Sequence, residues 1–572
     1  MVWLLKALTM GWRAAVTDGG VRGGAKNMAE SVTTGAEALD GADRVSAPPW
    51  WFGTVGYEIY IRSFADSNGD GIGDLTGIAE RLEHVAWLGA DSIWITPFYP
   101  SPGFDHGYDV SDYTDIAAMH GSIADFEKLV ARARELDLRV IVDLVPNHTS
   151  SQHPWFIDAI SSPDSPHRDF YHWADPAADG GPPNNWVSHF GGPAWSLDEA
   201  SGQYYCHLFL AEQPDLNWEN EAVADAFDDI LRFWLDRGAD GFRIDVAHGL
   251  AKHPDYPDNP RIRPITDDMG PTAVFESYEH RYDLHLAATV EIYERWHDVV
   301  APYGAALIGE VNNWVPEQMA RYTVDGALDT AFFLRPGWTG WDPVELVATH
   351  REMHEAVPDR MSWVLNNHDQ ARSVSRYGGG SMGLDRSLAL STLEFALGGV
   401  PFLYQGEELG LENAEVAPGD LEDPIWTRNQ STETGRDASR SAMPWDTGPA
   451  NGFTTGTPWL RAADRAGEET AAHQRATPGS PVTRYRELIG VRKAHAAFYT
   501  EPAQWVDGPT DSSAIVRRGD ITVVANLGPE PVVVDIDDDP DVAFTSSPRG
   551  VAIDSRRLTI AGETSAILVA TG

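Results

Sequence analysis

The sequence predicts an α/β fold, a closed (β/α)8 TIM barrel with an inserted lobe after strand 3 and an all-β domain at the C-terminus. From residue 49, short apolar or β-branched runs alternate with segments whose apolar residues recur at spacings of three and four. This alternation is typical of successive βα units. Eight strand-like runs can be counted, and eight parallel strands with intervening helices close into a barrel whose functional groups lie at the C-terminal strand ends.

The expected strands and helices follow one another along most of the chain. The strand candidates are Gly56–Phe64, Ser92–Pro97, Arg139–His148, Gly241–Ala247, Leu307–Val311, Thr330–Leu334, Ser362–Asp369 and Val400–Gly406. The helix candidates are Leu75–Leu88, Ile123–Leu136, Val223–Arg237, Ser387–Ala396 and Val482–Ala494. Since these elements alternate, the barrel is expected to occupy residues 49–148 and 220–498.

Two connections are too long to be simple βα loops. Residues 149–219, dense in Trp, Pro, Gly and His, are expected to form a lobe over the barrel mouth, and residues 411–480 a further subdomain after strand 8. Residues 499–572 are expected to form a β-sandwich, with strands at Ala514–Arg517, Ile521–Asn526, Pro531–Ile536 and Thr559–Val569. Residues 1–48 are predicted to be a mobile N-terminal tail.

The composition excludes several classes of partner. The sequence has 42 Lys and Arg against 86 Asp and Glu, a net charge of −44 that repels phosphate backbones and anionic lipids, so nucleic acid and membrane surfaces are not expected. No apolar run reaches 18 residues, and Lys6 and Arg13 interrupt the only candidate core of a signal peptide. The single cysteine, Cys206, excludes an internal disulfide and predicts a buried, inert thiol. These features predict a cytoplasmic protein, and they leave its oligomeric state open.

Four predicted strand ends carry residues suited to glycosidic bond cleavage. They are Asp143-Leu-Val-Pro-Asn-His148, Gly241-Phe-Arg-Ile-Asp245, Ile308-Gly-Glu310 and Asn366-Asn-His-Asp369. A retaining glycosidase needs one carboxylate that attacks the anomeric carbon and one carboxylic acid that protonates the leaving oxygen, roughly 5 Å apart. A single acidic residue at a strand end is often only a helix cap, but four such segments on one barrel rim predict a catalytic site.

In these four segments and their order, the chain resembles glycoside hydrolase family 13, the α-amylase superfamily, over about residues 50–570. The resemblance implies Asp245 as the nucleophile, Glu310 as the general acid and base, and Asp369 as the third carboxylate, which holds the 2- and 3-hydroxyls of the sugar. It also implies that the substrate is a small α-glucoside.

Three further residues of these segments suit the same roles. Arg243 lies two positions before Asp245, so along a strand it projects to the same face and can keep that carboxylate ionised. His148 and His368 can donate hydrogen bonds to sugar hydroxyls as positive charge develops on the ring.

Other segments resemble the family's pocket for one terminal glucose. The resemblance implies that Asp109, in Gly107-Tyr108-Asp109, binds the 4- and 6-hydroxyls of that glucose, with Arg436 or Arg440 as its partner. Such a pair would close the far end of the cleft, which implies exo action, one glucose at a time. Tyr108 and Phe190 are the expected aromatic walls.

A glycine-rich loop predicts a structural cation. Oxygen-bearing residues alternate in this loop with glycines that allow a sharp turn, as a hard divalent cation requires. The predicted ligands are Asp66, Asn68, Asp70, Ile72 through its carbonyl, and Asp74. The resemblance implies Ca²⁺ or Mg²⁺ far from the catalytic carboxylates, with no cofactor for catalysis.

Two segments favour the branch of α-glucosidases and oligo-1,6-glucosidases. They are Gln213-Pro-Asp-Leu-Asn217 and Gly399–Gly410, in which Glu407 and Glu408 are expected to be structural hydrogen-bond partners. The expected function is a retaining exo-acting α-glucosidase that releases α-glucose from maltose-type oligosaccharides. The linkage stays open, because Val246 resembles 1,6-cleaving members and the segment Val246-Ala-His-Gly249 resembles maltose-type enzymes.

Two alternatives stay open at this point. The first is an oligo-1,6-glucosidase, or a transglucosylase or isomerase on the same barrel, since any hydroxyl can capture a glucosyl-enzyme. The second is a non-catalytic relative such as the heavy subunits of amino-acid transporters. Those relatives have lost carboxylates and carry a membrane span, whereas this chain has all three carboxylates.

Overall fold

Eight parallel strands close into a barrel, which confirms the predicted fold class. They are labelled β1 to β8 in chain order, and each pairs with its sequence neighbours until β8 pairs with β1. Their bounds are Gly56–Ile59, Ser92–Ile95, Arg139–Leu144, Gly241–Ile244, Ala306–Gly309, Thr330–Phe333, Met361–Val364 and Val400–Tyr404. Nearly every strand residue is buried, as expected of a parallel sheet covered on both faces. The computed structural model describes residues 48–429, 433–463, 465–536, 540–547 and 550–571, so the predicted tail over residues 1–48 lies outside the described part except for Pro48.

Each barrel strand is shorter than predicted, because the chain leaves the sheet at the rim. The segment Ile61–Phe64, predicted as strand, is a turn of helix. The predicted ends at His148, Ala247 and Asp369 likewise lie in loops beyond β3, β4 and β7. The sequence pattern therefore included rim residues that are buried without being part of the sheet.

The five predicted helices are present; Leu75–Leu88 has the predicted bounds and the other four have shifted ends. Helix Leu75–Leu88 begins after Asp74, whose carboxylate accepts a hydrogen bond from the Gly77 amide, and it ends at Gly89 with φ 104°, as the usual capping rules describe. The other helices are Ile123–Glu135, Pro154–Ser161, Glu221–Leu235, Pro271–Phe275, Ala288–Val300, Pro316–Tyr322, Arg335–Trp338, Pro343–Ala356, Ser373–Arg376, Gly380–Ala396, Pro424–Asn429, Ala471–Ala476, Pro481–Ala494 and Ala497–Thr500. In the described part of the chain, none of these helices has both the length and the apolar character needed to cross a bilayer.

Residues 149–219 form a lobe between β3 and β4. The lobe contains helix Pro154–Ser161 and a three-stranded antiparallel sheet, with Gln203–Cys206 between Trp173–Ala174 and Trp195–Asp198. Cys206 is buried and unpaired, and burial raises the pKa of its thiol well above the ordinary value, as predicted for an inert cysteine.

A buried ion pair joins the lobe to the barrel. The ammonium of Lys252 lies 2.9 Å from Asp215 Oδ2, and both side chains are completely buried. The same ammonium donates hydrogen bonds to Asn147 Oδ1 at 2.9 Å and to the carbonyl of Gly249 at 2.5 Å. Three segments that surround the barrel mouth therefore meet at one cation.

The C-terminal region is an all-β domain of two sheets. The first has five strands, Gln504–Asp507, Ser513–Arg518, Ile521–Asn526, Asp541–Thr545 and Thr564–Val569, and the second has three, Val532–Asp535, Val551–Asp554 and Arg557–Ile560. Buried residues of both sheets form one cluster, which is the packing of a β-sandwich. The single strand predicted over Thr559–Val569 is wrong, because Gly562 and Glu563, with φ 54° at Glu563, turn the chain from one sheet to the other.

Candidate active site

Four carboxylates gather at the C-terminal rim of the barrel. Asp143 is a residue of β3, and Asp245 and Glu310 directly follow β4 and β5. The amides of Asp245 and Glu310 continue the register of the sheet, donating to Leu144 O at 2.8 Å and to Ile244 O at 2.9 Å. Asp369 lies in the loop after β7. The rim thus brings together the three predicted catalytic carboxylates.

One guanidinium connects three of these carboxylates. Arg243 Nη1 lies 2.6 Å from Asp245 Oδ1 and 3.0 Å from Asp143 Oδ1, while Nη2 lies 2.9 Å from Glu310 Oε2. Arg243 is almost fully buried, so its charge acts with little screening by water. The predicted pairing of Arg243 with Asp245 is present, and the arginine also reaches Glu310.

Burial favours protonation within this cluster. It raises the pKa of Asp143 to about 7, against the opposing effect of Arg243. Burial also raises the pKa of Asp245, as do Glu310 and Asp143, and Arg243 again opposes the shift. Carboxylates this close titrate as a group, so burial and mutual repulsion favour protonation within the cluster and Arg243 opposes it. The shortest guanidinium contact favours the negative charge on Asp245.

A strained turn connects the two central carboxylates. Val246, directly after Asp245, has φ 45°, a region that is unfavourable for a β-branched residue. The turn is held because the Val246 amide donates to Glu310 Oε2 at 3.0 Å and the Ala247 amide donates to the Glu310 carbonyl at 2.9 Å. No local sequence signal predicts this turn.

His368 forms part of a stacked aromatic group in the floor of the site. Its ring lies between Tyr60 and Tyr108, with centroid distances of 5.6 and 5.4 Å. Its Nδ1 lies 2.6 Å from Glu58 Oε1 and its Nε2 lies 2.8 Å from the Tyr108 hydroxyl. Burial lowers the pKa of His368 well below its ordinary value, against the opposing effect of Asp369. The sequence interpretation missed Glu58, which is buried at the end of β1.

His148 is also held by protein groups. Its Nε2 lies 3.0 Å from the Tyr108 carbonyl and its Nδ1 lies 3.1 Å from Asn147 Nδ2. The side chain is buried, and burial lowers its pKa. Its predicted hydrogen bond to a sugar hydroxyl stays a prediction.

The predicted pair of Asp109 with an arginine is wrong, and Asp105 takes that place. Arg436 Nη2 lies 2.7 Å from Asp105 Oδ1. Asp109 is fully buried, and its oxygens accept hydrogen bonds from Ser101 Oγ and from the amides of Phe104 and Asp105 at 2.8 to 3.0 Å. Its carboxylate is therefore used to hold its own loop, and Asp105 is the residue that faces Arg436.

Arg436 and Arg440 both reach the third carboxylate. Asp369 Oδ1 lies 2.8 Å from Arg440 Nη2 and 3.3 Å from Arg436 Nη1. Although burial raises the pKa of Asp369, His368 and the two arginines hold it well below its usual range, so this carboxylate is ionised. Asp423, which the sequence interpretation missed, lies 2.6 Å from Arg436 Nε in a long connection with no strand-end signal.

The two predicted aromatic walls are both buried. Tyr108 is 5% exposed and donates from its hydroxyl to Asp143 Oδ2 at 3.2 Å. The guanidinium carbon of Arg436 lies 5.6 Å from the ring centroid of Phe190. Phe190 thus borders the pair of Arg436 and Asp105.

The predicted cation loop has donors that suit a hard cation. Its oxygens come from three aspartates, one asparagine and the Ile72 carbonyl. The side-chain oxygens of Asp66, Asn68 and Asp70 accept hydrogen bonds from amides of the loop, and Asp74 caps the following helix. No three Asp, Glu, His or Cys side chains within the described residues are close enough to hold an ion. The chemistry of the donor set fits Ca²⁺ or Mg²⁺, and the binding of either ion stays a prediction.

Comparison with known proteins gives matches over most of the chain. The family model of the alpha-amylase catalytic domain matches residues 58–501. A probable alpha-glucosidase of Rhizobium meliloti (strain 1021) is 41% identical over 470 residues, covering 80% of this chain and 85% of that protein. The oligo-1,6-glucosidase of Heyndrickxia coagulans is 38% identical over 488 residues, covering 78% and 86%. Among solved structures, the alpha-glucosyl transfer enzyme XgtA has a TM-score of 0.85 at 34% identity, covering 92% of this chain and all of that one.

These matches agree with the geometry of the barrel rim. The strand ends that carry Asp245, Glu310 and Asp369 all lie inside the matched residues. The chain belongs to the α-amylase superfamily, glycoside hydrolase family 13, in its α-glucosidase branch.

Proposed function

We propose that this glycoside hydrolase is a retaining, exo-acting α-glucosidase. Its substrates would be short α-glucosides of the maltose type, from which it releases α-glucose at the non-reducing end. The observation that carries the proposal is the contact of Asp245 and Glu310 with one guanidinium, that of Arg243. Retention needs the two carboxyl groups about 5 Å apart, and two carboxylates on neighbouring nitrogens of one guanidinium suit that span.

In the first step, Asp245 attacks the anomeric carbon. The bond from that carbon to the leaving oxygen breaks with its electron pair on the oxygen, which takes a proton from Glu310. A glucosyl ester forms on Asp245. Arg243 suits this step because its closest contact, at 2.6 Å, is to the attacking carboxylate.

In the second step, water enters on the face that the leaving group has left. Glu310, now ionised, takes a proton from the water, and the oxygen bonds to the anomeric carbon as the ester bond to Asp245 breaks. Two displacements at one carbon restore the α configuration. Asp369, kept ionised by Arg436 and Arg440, would hold sugar hydroxyls through both steps.

The pair of Asp105 and Arg436 supports exo action. Arg436 also contacts Asp369 and Asp423, so this wall of the site is crossed by a continuous set of ion pairs. A glucose held against Asp369 would end at this wall, with no room for a further sugar beyond it. Hence only a terminal glucose would be accepted.

A second candidate function is glucosyl transfer to a sugar acceptor, or cleavage of α-1,6 linkages. The transfer activity of XgtA and the name of the oligo-1,6-glucosidase relative favour it, because a hydroxyl can replace water in the second step. Val246 directly follows the proposed nucleophile on the strained turn. We propose hydrolysis of maltose-type substrates with some 1,6 activity.

Two variants test the assignment. Asp245→Asn should lower turnover by several orders of magnitude while the fold stays intact, because an amide cannot form the glucosyl ester. Glu310→Gln should lose much more first-step rate on maltose than on p-nitrophenyl α-glucoside, whose leaving group needs little protonation. Asp245→Asn within roughly tenfold of wild type, or equal losses by Glu310→Gln on both substrates, would refute the assignment.

A further inference from the structure

Trp338 is an exposed tryptophan at the end of the short helix Arg335–Trp338, in the connection between β6 and β7. It lies five residues past the end of β6, and β6 pairs with β5, before Glu310, and with β7, before Asp369. Its side chain is 50% exposed. Among the described residues, the other exposed tryptophan is Trp314, on the adjacent loop after β5. Both exposed indoles therefore lie on the catalytic rim.

Hydrogen bonds hold both the indole of Trp338 and the backbone next to it. Gln370, directly after Asp369 and mostly buried, accepts a hydrogen bond from Trp338 Nε1 at 3.2 Å and donates to the Gly337 carbonyl at 3.0 Å when its amide is oriented to satisfy both groups. The Pro336 carbonyl accepts hydrogen bonds from Arg376 and from the Tyr377 hydroxyl. Because the indole is already held by hydrogen bonds, a ligand that packs on it would cost little further side-chain entropy.

We propose that Trp338 is the platform for the sugar ring of the leaving group and of the acceptor. This inference rests on the proposed function. A pyranose presents an apolar C–H face that packs on an indole face. The closed wall at Asp105 and Arg436 lies on the other side of the glucose pocket, so a second sugar must extend outwards past the rim. Trp338 thereby sets the preference for sugar leaving groups and for transfer to sugar acceptors.

The test compares two substrates that carry the same glucosyl group and different leaving groups. Maltotriose has leaving-group sugars and α-glucosyl fluoride has none. Trp338→Ala should lower kcat/KM on maltotriose by about tenfold more than on the fluoride, and it should lower the ratio of transfer to hydrolysis at high maltose concentration. Trp338→Phe should keep most of both properties, because it keeps an aromatic face.

Tyr303 provides the matched control. It is an aromatic residue of similar exposure, 45%, that lies before β5 at the opposite end of the barrel, so Tyr303→Ala should leave both substrates unaffected. Equal losses on maltotriose and the fluoride in Trp338→Ala, no loss on either, or an unchanged transfer ratio would overturn the inference. Wild-type turnover of the fluoride tests the proposed function separately, and its absence would refute that function and the inference with it.

Discussion

Removal of the buried ammonium at the junction of the lobe and the barrel should destabilise the protein strongly. In Lys252→Met the side chain keeps its length and loses its charge. Asp215 Oδ1 would still accept from Asn147 Nδ2 and the Leu208 amide, but Oδ2 would lose the ammonium, and no described residue donates a hydrogen bond to it. Breaking one partner of a fully buried ion pair costs about 3 to 5 kcal/mol.

The assay is equilibrium urea unfolding followed by tryptophan fluorescence, read at the first transition because a multidomain chain need not unfold in one step. The control is Lys128→Met. Lys128 pairs with Asp125 on the surface, with three quarters of its side chain exposed, and such pairs contribute about 0 to 1 kcal/mol. The double variant Lys252→Met/Asp215→Asn should recover at least about 1 kcal/mol, since no charge is left unpaired in the interior. A loss in Lys252→Met no larger than that of the surface control would refute the reasoning.

Three further predictions follow from the site and its surroundings. Asp105→Asn should lower kcat/KM by about 10- to 100-fold, as loss of a charged hydrogen bond does. Asp109→Asn should lower kcat/KM less and mainly reduce stability. A larger loss of kcat/KM in Asp109→Asn would instead indicate that Asp109 binds the substrate. Burial raises the pKa of Glu407 to about 8, so the folded state binds more protons than the unfolded state between about pH 4.5 and 8, and stability falls as pH rises through that window by up to about 1.4 kcal/mol per unit. Glu407→Gln should reduce that slope, to which the raised pKa of Asp143 also contributes, and parallel pH profiles of wild type and variant would contradict the assignment. Calcium should raise the melting temperature of the wild type more than that of Asp70→Asn, with turnover unchanged, and equal shifts would exclude the loop as the site.

The barrel was predictable because its signals are local and repeated. Each strand is a short apolar run, and helix Leu75–Leu88 matches its prediction from the first residue to the last, since Asp74 and Gly89 mark its ends. The C-terminal strands with few buried residues were less predictable. Gln504–Asp507 is mostly exposed, so burial left little pattern in its sequence.

Asp245 and Glu310 were predictable because each directly follows a recognisable strand, and Asp369 because its segment continues the apolar run of β7. The pocket wall was not, because it depends on which side chain a tight turn leaves free. Asp105 and Asp109 lie four residues apart in one loop, and only the fold shows that Asp109 is used by the amides of that loop. Glu58 has no sequence signal because its partner, His368, is hundreds of residues away. Asp423 has none because it and its partner, Arg436, both lie in a long connection without strands.

The most direct test of the account is to trap the covalent intermediate. A fluorinated α-glucosyl fluoride with a slowed second step should accumulate an ester on the enzyme, and mass spectrometry of its peptic peptides should place the label on Asp245. Glu310→Gln should accumulate the same label and release it on addition of azide. A label on any other residue, or a first-formed product that is the β-anomer by NMR, would contradict a retaining mechanism through Asp245.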